Sequence, residues 1–155
     1  MSVPASPSDN FKPSVQDVAN LLRARTKDQY GKELGQFTVD TRPTDEMVTE
    51  IIGLSASDIT GTLGDDLPEE YWPELESLTA LRAAMLVELT YFPEQVRSGR
   101  SAYAEYKTMY DDTLARLTEA IKSDEDYIDP GGIGTTANQT YLTFPDYLPI
   151  GGIRW

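Results

Sequence analysis

LESLTALRAAMLVELTYFPEQV, which spans residues 75–96, is the stretch that decides the fold of this chain. Its large apolar side chains recur at steps of three or four, which is the spacing of one face of an α-helix. Its alanines add a second apolar face, and a helix that is apolar on more than one side is typically buried. Pro93 lacks a backbone N–H, so the pattern predicts a kink or a break near Leu89. This segment is therefore predicted to be the central helix of a helical domain.

Three further helices are predicted around this one. The first begins after Ser14, a residue type that caps helix N-termini, and ends near Arg25. The second begins after Thr44, has two acids in its first turn and extends to about Gly61. The last follows Ser101 and carries a stripe of tyrosines and leucines at helical spacing.

The expected fold is mainly α. We predict a small bundle of about four helices around a long antiparallel helix hairpin, because only a short turn at Gly99 separates the last two helices. An extended loop and an extended C-terminal arm complete the fold. Residues 1–12 are predicted to be a flexible N-terminus, residues 13–123 the helical domain, and residues 124–155 the arm.

Two segments outside the helices are candidates for contacts with partners. Residues 26–42 are typical of an extended or hairpin loop, and long ordered loops are more often functional than not. The arm is rich in aromatic residues, unlike a disordered linker, and such an arm is expected to dock on a surface. The candidate interface residues are Phe37, Arg42, Phe144, Tyr147, Ile153 and Trp155.

The charge of the chain is strongly acidic and unevenly distributed. The net charge is −13, and residues 43–68 contain six acidic and no basic side chains. Such a protein should repel the phosphates of nucleic acids. The acidic residues singled out as candidates are Asp45, Glu46, Glu50, Asp65, Asp66, Glu69 and Glu70.

The composition argues against several other classes of protein. Histidine and cysteine are both absent, which removes the commonest general base, the commonest metal ligand and thiol chemistry. No catalytic, metal or cofactor motif is complete, so we predict that the chain is not an enzyme and uses no cofactor. No apolar run approaches the roughly 20 residues of a membrane helix, and the first residues do not have the pattern of a signal peptide. The expected location is therefore the cytoplasm, without membrane contact.

Four segments of this sequence, in their order and spacing, resemble the head-to-tail adaptor proteins of long-tailed bacteriophages, particularly those that infect actinobacteria. They are residues 18–26, 37–44, 83–95 and 103–117, within a match that covers residues 13–123. The resemblance implies a virion protein of the neck, assembled in the host cytoplasm as a ring of about a dozen copies. Such a ring joins the portal to a stopper or the next neck protein and extends the channel through which double-stranded DNA leaves the head. In this interpretation the acidic candidates face the channel.

Two other functions are compatible with parts of the sequence. An acidic DNA mimic or regulatory protein that binds a host nucleic-acid-binding protein would share the charge and the small size. It would need its carboxylates on one continuous face. An enzyme that depends on carboxylates alone is the third possibility, but no particular pair of acids supports it.

Overall fold

The computed structural model describes residues 7–127, with side chains up to residue 124. The described part is mainly helical and contains five α-helices, which confirms the predicted fold class. The helices are α1 (Val15–Leu21), α2 (Asp45–Leu63), α3 (Trp72–Tyr91), α4 (Pro93–Arg97) and α5 (Tyr103–Tyr127). Short 3-10 helices occupy Pro7–Phe11, Arg23–Arg25 and Glu69–Tyr71. Within residues 7–127 the only extended pairing is a single antiparallel bridge between Lys27 and Glu33.

The helix starts follow the predicted capping residues. Ser14 and Asp17 form a reciprocal capping box at the start of α1. The Thr44 hydroxyl accepts a hydrogen bond from the backbone N–H of Met47 at 3.3 Å, which satisfies a free donor in the first turn of α2. α1 itself ends at Leu21, and a 3-10 helix carries the chain on to Arg25, the predicted end.

Pro93 breaks the central helix, as its missing N–H predicts. α3 ends at Tyr91, and α4 starts at Pro93 after the non-helical Phe92. Gly99 then adopts a φ of 69°, a conformation that favours glycine, and the chain turns back into α5.

Side-chain contacts show that α3 and α5 run antiparallel. Glu74, near the start of α3, pairs with Arg116 of α5. One end of the hairpin is joined by Ser101, which donates to Glu88 near the end of α3 at 2.8 Å. Ser101, which precedes α5, thus lies against the end of α3, and Arg116, further along the chain, lies against its start, so the two helices run antiparallel as predicted.

The core divides into two clusters on the two apolar faces of α3. The alanine face packs against α1 and the first half of α2, and the small side chains permit close approach there. The leucine face packs against the second half of α2, α5 and the N-terminal 3-10 helix. The first cluster contains Val18, Ala19, Leu22, Phe37, Val48, Ile51, Ile52, Ala80, Ala83, Ala84 and Val87. The second contains Phe11, Ala56, Ile59, Leu75, Leu78, Leu81, Met85, Tyr110 and Leu117. The central position predicted for this helix is confirmed.

Both ends of the helical domain differ from the predicted boundaries. Pro7–Phe11 form a 3-10 helix, so this part of the supposed flexible N-terminus is structured. Phe11 is only 1% exposed, because its ring fills the second core cluster, and that long-range contact leaves no local signal. At the other end α5 continues to Tyr127, past the predicted boundary at residue 123. The rest of the predicted arm lies outside the described residues.

All contacts discussed below lie within the compact unit that ends at Ile121. In the part of the chain that is described, no helix combines the length and the apolar character needed to cross a membrane.

Candidate partner interface

The loop of residues 26–42 contains two turns, each closed by its own hydrogen bonds. In the first turn the carboxylate of Asp28 accepts hydrogen bonds from the backbone N–H groups of Tyr30 and Lys32, both at 2.9 Å. The N–H of Gly31 donates to the carbonyl of Asp28 at 2.9 Å, and Gly31 has a φ of 79°. This turn holds Tyr30 at its tip, where the residue is 86% exposed.

The second turn is built around Thr41. The Thr41 hydroxyl accepts a hydrogen bond from the backbone N–H of Thr38 at 2.9 Å and lies 2.7 Å from the carbonyl oxygen of Pro43. Thr41 is 3% exposed, whereas Val39 at the tip of the turn is 77% exposed. The second turn therefore also presents an apolar side chain to solvent on a fixed backbone.

The base of the loop is tied to the helical core. Thr26 is fully buried, and its hydroxyl accepts a hydrogen bond from the N–H of Gly35 at 3.0 Å. The N–H of Leu34 donates to the carbonyl of Thr26 at 2.7 Å. The side chain of Gln16 on α1 reaches the carbonyl of Gly35 at 3.0 Å. These bonds fix the loop on α1, as expected of an ordered loop.

The loop is also anchored by a buried ion pair between Arg25 and Glu88. The two nitrogens Nε and Nη2 of Arg25 donate to the two carboxylate oxygens of Glu88 at 2.7 and 2.8 Å. The side chains are 15% and 3% exposed, respectively. Arg25 also bonds to Gln95 and lies 4.3 Å from the centroid of the Phe92 ring. Bidentate geometry and the extra partners compensate for the removal of both charges from water.

Tyr106 on α5 completes this end of the bundle. Its hydroxyl donates to the carbonyl of Leu21, the last residue of α1, at 2.6 Å. Burial raises the pKa of Tyr106, and the negative charges of Glu88 and Glu105 raise this pKa further, against the opposing charge of Arg25. The hydroxyl therefore stays protonated and keeps donating to the end of α1.

The structure corrects the prediction for Phe37. Its side chain is only 5% exposed and belongs to the first core cluster, so it is not an anchor on the surface of the subunit. The ring packs among residues of α1, α2 and α3 in that cluster, whereas Val39, two residues later, is exposed. Arg42, the other candidate in this loop, is exposed just before Pro43, and the peptide bond between them is cis. The candidates of the arm, Phe144, Tyr147, Ile153 and Trp155, lie outside the described residues.

Tyr30 and Val39 are interface candidates that were not among the residues predicted from the sequence. The signal for Tyr30 was present, because an Asp two residues before it and a Gly directly after it are typical of a tight turn. A large side chain at such a tip points into solvent. Val39 has no comparable signal, since its apolar neighbours suggest burial equally well.

The acidic candidates are at the surface but form two separate groups. Burial of the opposite face of α2 places Glu46 and Glu50 outward, one helical turn apart, while Asp45 is partly buried. The second group follows the C-terminus of α2, about 20 Å further along at the rise of an α-helix. Its members Asp65, Asp66, Glu69 and Glu70 are all exposed. Among the described residues, none of the seven candidates forms an ion pair with a basic side chain.

Comparison with known proteins gives no relative from which a function could be carried over. No family model, no curated protein and no solved structure matches this chain.

Proposed function

We propose that this chain is a structural subunit of a bacteriophage neck, a head-to-tail adaptor that joins the portal to the stopper or tail. About twelve copies form a ring in the virion, assembled in the host cytoplasm, and double-stranded DNA passes through it. The proposal assigns the chain no catalysis and no cofactor. The observation that carries it is the loop of residues 26–42, which holds exposed Tyr30 and Val39 on a backbone already fixed to the core.

A fixed loop with apolar tips suits a protein whose role is to bind other subunits. Binding orders loops and side chains, and that ordering costs free energy. A loop closed by its own hydrogen bonds has lost most of this freedom before the partner arrives. Tyrosine is among the residues that contribute most at protein interfaces. The first turn therefore combines a suitable anchor with a low cost of ordering.

The unpaired acids support a passive contact with DNA. In a ring, carboxylates facing the channel would repel phosphates and keep the DNA from adhering to the wall. Glu46 and Glu50 are the best placed of the candidates, because both are exposed on the outer face of one helix.

The test for the channel surface is a pair of double substitutions with equal change in charge. Glu46→Gln with Glu50→Gln should increase retention of double-stranded DNA by assembled rings at low salt. Glu94→Gln with Glu105→Gln, two exposed acids on other helices, is the matched control. If both variants retain the same amount of DNA, net charge alone explains the retention, and the proposal that Glu46 and Glu50 face the channel is contradicted.

The C-terminal arm is proposed to clamp the portal through Phe144, Tyr147 and Trp155. Aromatic anchors in pockets of a partner commonly contribute about 2 kcal/mol or more each. Deleting residues 129–155 should therefore abolish attachment to heads that carry the portal. If the shortened chain still attaches, the clamp is elsewhere.

The proposal as a whole is tested by electron microscopy and mass measurement of the full chain mixed with the portal protein of the same genome. Rings stacked on the portal are the expected result. A monomer alone decides little, because adaptors can require the portal to assemble, so the portal must be present. If the chain does not bind the portal in this mixture, the proposal is contradicted.

The unpaired acids also favour, as a second candidate, an acidic mimic of DNA. A mimic needs its carboxylates on one continuous face, whereas α2 separates the two groups here by about 20 Å. A tight complex with a host DNA-binding protein, competed by DNA, would support the mimic over the adaptor.

A further inference from the structure

An open groove lies between α1, α3 and α5, and no residue of the loop lines it. Its volume is about 350 Å³. It is lined by Pro13, Asp17, Leu21, Pro73, Glu76, Ser77, Ala80, Leu81 and Met109. The lining is largely apolar, and Met109 is 53% exposed although it is a large apolar side chain. The groove could therefore bury an apolar or aromatic side chain.

The rim of the groove is negatively charged. Asp17 and Glu76 are exposed and form no ion pair with a basic side chain among the described residues, and no basic residue lines the groove. One carboxylate oxygen of Asp17 accepts hydrogen bonds from Ser14 in the capping box, so Glu76 is the stronger of the two contacts for a positive charge. A ligand that combines an aromatic ring with neighbouring positive charge would fit both the lining and the rim.

The first turn of the loop has these properties. Tyr30 projects from it, and Lys27 and Lys32 on either side are exposed without an ion-pair partner among the described residues. The carboxylate of Asp28 is turned inward to the backbone of the turn, which leaves the two lysines as the outward charges. The turn and the groove are thus complementary in charge, and each offers an exposed apolar surface to the other.

We propose that the Tyr30 turn of one copy of this chain inserts into the groove of the next copy. Tyr30 lies on the apolar floor, and the lysines of the turn face Asp17 and Glu76 at the rim. The turn and the groove share no residue, so each copy can give its turn to one neighbour and accept the turn of another. Such a contact is heterologous, and it produces a closed ring when the rotation between copies closes. This inference rests on the proposed ring and names the contact that forms it.

The direct test is crosslinking between copies, which the chain permits because it contains no cysteine. Gln29→Cys places a thiol in the exposed turn beside Tyr30 and keeps the tyrosine, and Ser77→Cys places one in the groove. The double variant, treated at high concentration with a short bis-maleimide, should give a ladder of covalent dimers, trimers and larger species. The matched control joins Gln29→Cys with Ser57→Cys, an exposed serine on α2. No more crosslinking with Ser77→Cys than with Ser57→Cys would overturn the proposal.

Substitutions at the two surfaces give a second, independent test. Tyr30→Ala should weaken association of the full chain at least about tenfold, whereas Leu54→Ala, another exposed apolar residue, should not. Lys32→Glu and Glu76→Lys should each weaken association by about two- to fivefold, and the two together should restore it. Failure of the double reversal to restore association would contradict the charged part of the contact.

The outcome is separable from that of the proposed function. If the crosslink between Gln29→Cys and Ser77→Cys forms but the chain does not bind the portal, the contact between copies stands and the adaptor function fails. If the Tyr30→Ala variant still forms rings on the portal, and the Gln29→Cys, Ser77→Cys variant gives no crosslink between copies, the function stands and this contact is wrong.

Discussion

The ion pair between Arg25 and Glu88 gives the sharpest prediction about stability. Replacing Glu88 by Ala removes three hydrogen bonds, two from Arg25 and one from Ser101. It also removes the counter-charge of Arg25, whose side chain is only 15% exposed. Breaking a buried pair in this way typically costs about 3–5 kcal/mol. Because Arg25 keeps Gln95 and the Phe92 ring, we expect the lower end of that range, about 3 kcal/mol.

The assay is urea unfolding followed by circular dichroism, on both single variants and on the double variant. Arg25→Met and Glu88→Met should each lower the free energy of unfolding by more than the usual cost of a surface substitution. The double variant should lose less than the worse single variant, because neither charge is then left buried alone. Hydrogen exchange of the Leu34 and Gly35 amides should speed up in the single variants, since both amides bond to Thr26 beside Arg25.

A matched control exists in the same part of the chain. Arg23 and Glu33 also form an ion pair, at 3.1 Å, but their side chains are 76% and 45% exposed. Breaking this pair should cost at most about 1 kcal/mol, because solvent screens it. If loss of Glu88 costs no more than loss of Glu33, burial does not set the strength of the Arg25 pair and the reasoning is refuted.

Four other changes have defined outcomes. Phe37→Ala should lower the free energy of unfolding by about 3–5 kcal/mol in urea titrations, because it empties a buried site; a loss below 1 kcal/mol would place the ring at the surface. Tyr30→Ala should leave that free energy within about 0.5 kcal/mol of the parent, so a larger loss would give the residue a structural role. Ser14→Ala should cost about 1 kcal/mol through the lost cap, and an unchanged thermal midpoint would contradict this. The raised pKa of Tyr106 means that folding favours the neutral phenol. The contribution of this group to the free energy of unfolding is therefore complete below the usual pKa of 10.0, and it is lost as the pH rises through the pKa of the folded protein. Between pH 9 and 12 the free energy of unfolding should fall less steeply with pH in Tyr106→Phe than in the parent. Part of the fall should remain, because burial also raises the pKa of Tyr110. An identical slope in both proteins would show that Tyr106 does not contribute to it.

The ends of the helices could be predicted because their causes are local. A cap acts on the next three residues, as at Ser14 and Thr44, and Pro93 acts through its own missing N–H. The periodicity of α3 was equally local, and its two apolar faces correctly placed it in the centre of the bundle. These features need no knowledge of what lies across the core.

Burial outside the helices could not be predicted, because it depends on contacts between distant segments. Phe37 and Val39 lie two residues apart in a similar pattern, yet the Phe37 ring is buried in the first core cluster while Val39 is exposed at the tip of the turn around Thr41. Phe11 falls within the segment predicted to be a flexible N-terminus, but its side chain belongs to the second core cluster. Arg25 and Glu88 are 63 residues apart, and nothing in either neighbourhood pairs them.

Changes at the base and at the tip of the loop of residues 26–42 are expected to affect different properties of the protein. Its base depends on the core through Thr26 and the Arg25–Glu88 pair, so changes there should reduce the stability of the fold and the affinity for partners together. Its tip at Tyr30 contributes nothing to the core, since the residue is 86% exposed, so a change there should reduce association alone. A loop that served only to connect α1 and α2 would not need this division, because exposed apolar tips bring a risk of aggregation and no gain in stability. The hydrogen-bonded base and the exposed tip support the proposal that a partner covers Tyr30, and the groove between α1, α3 and α5 has an apolar lining and an acidic rim that would suit it.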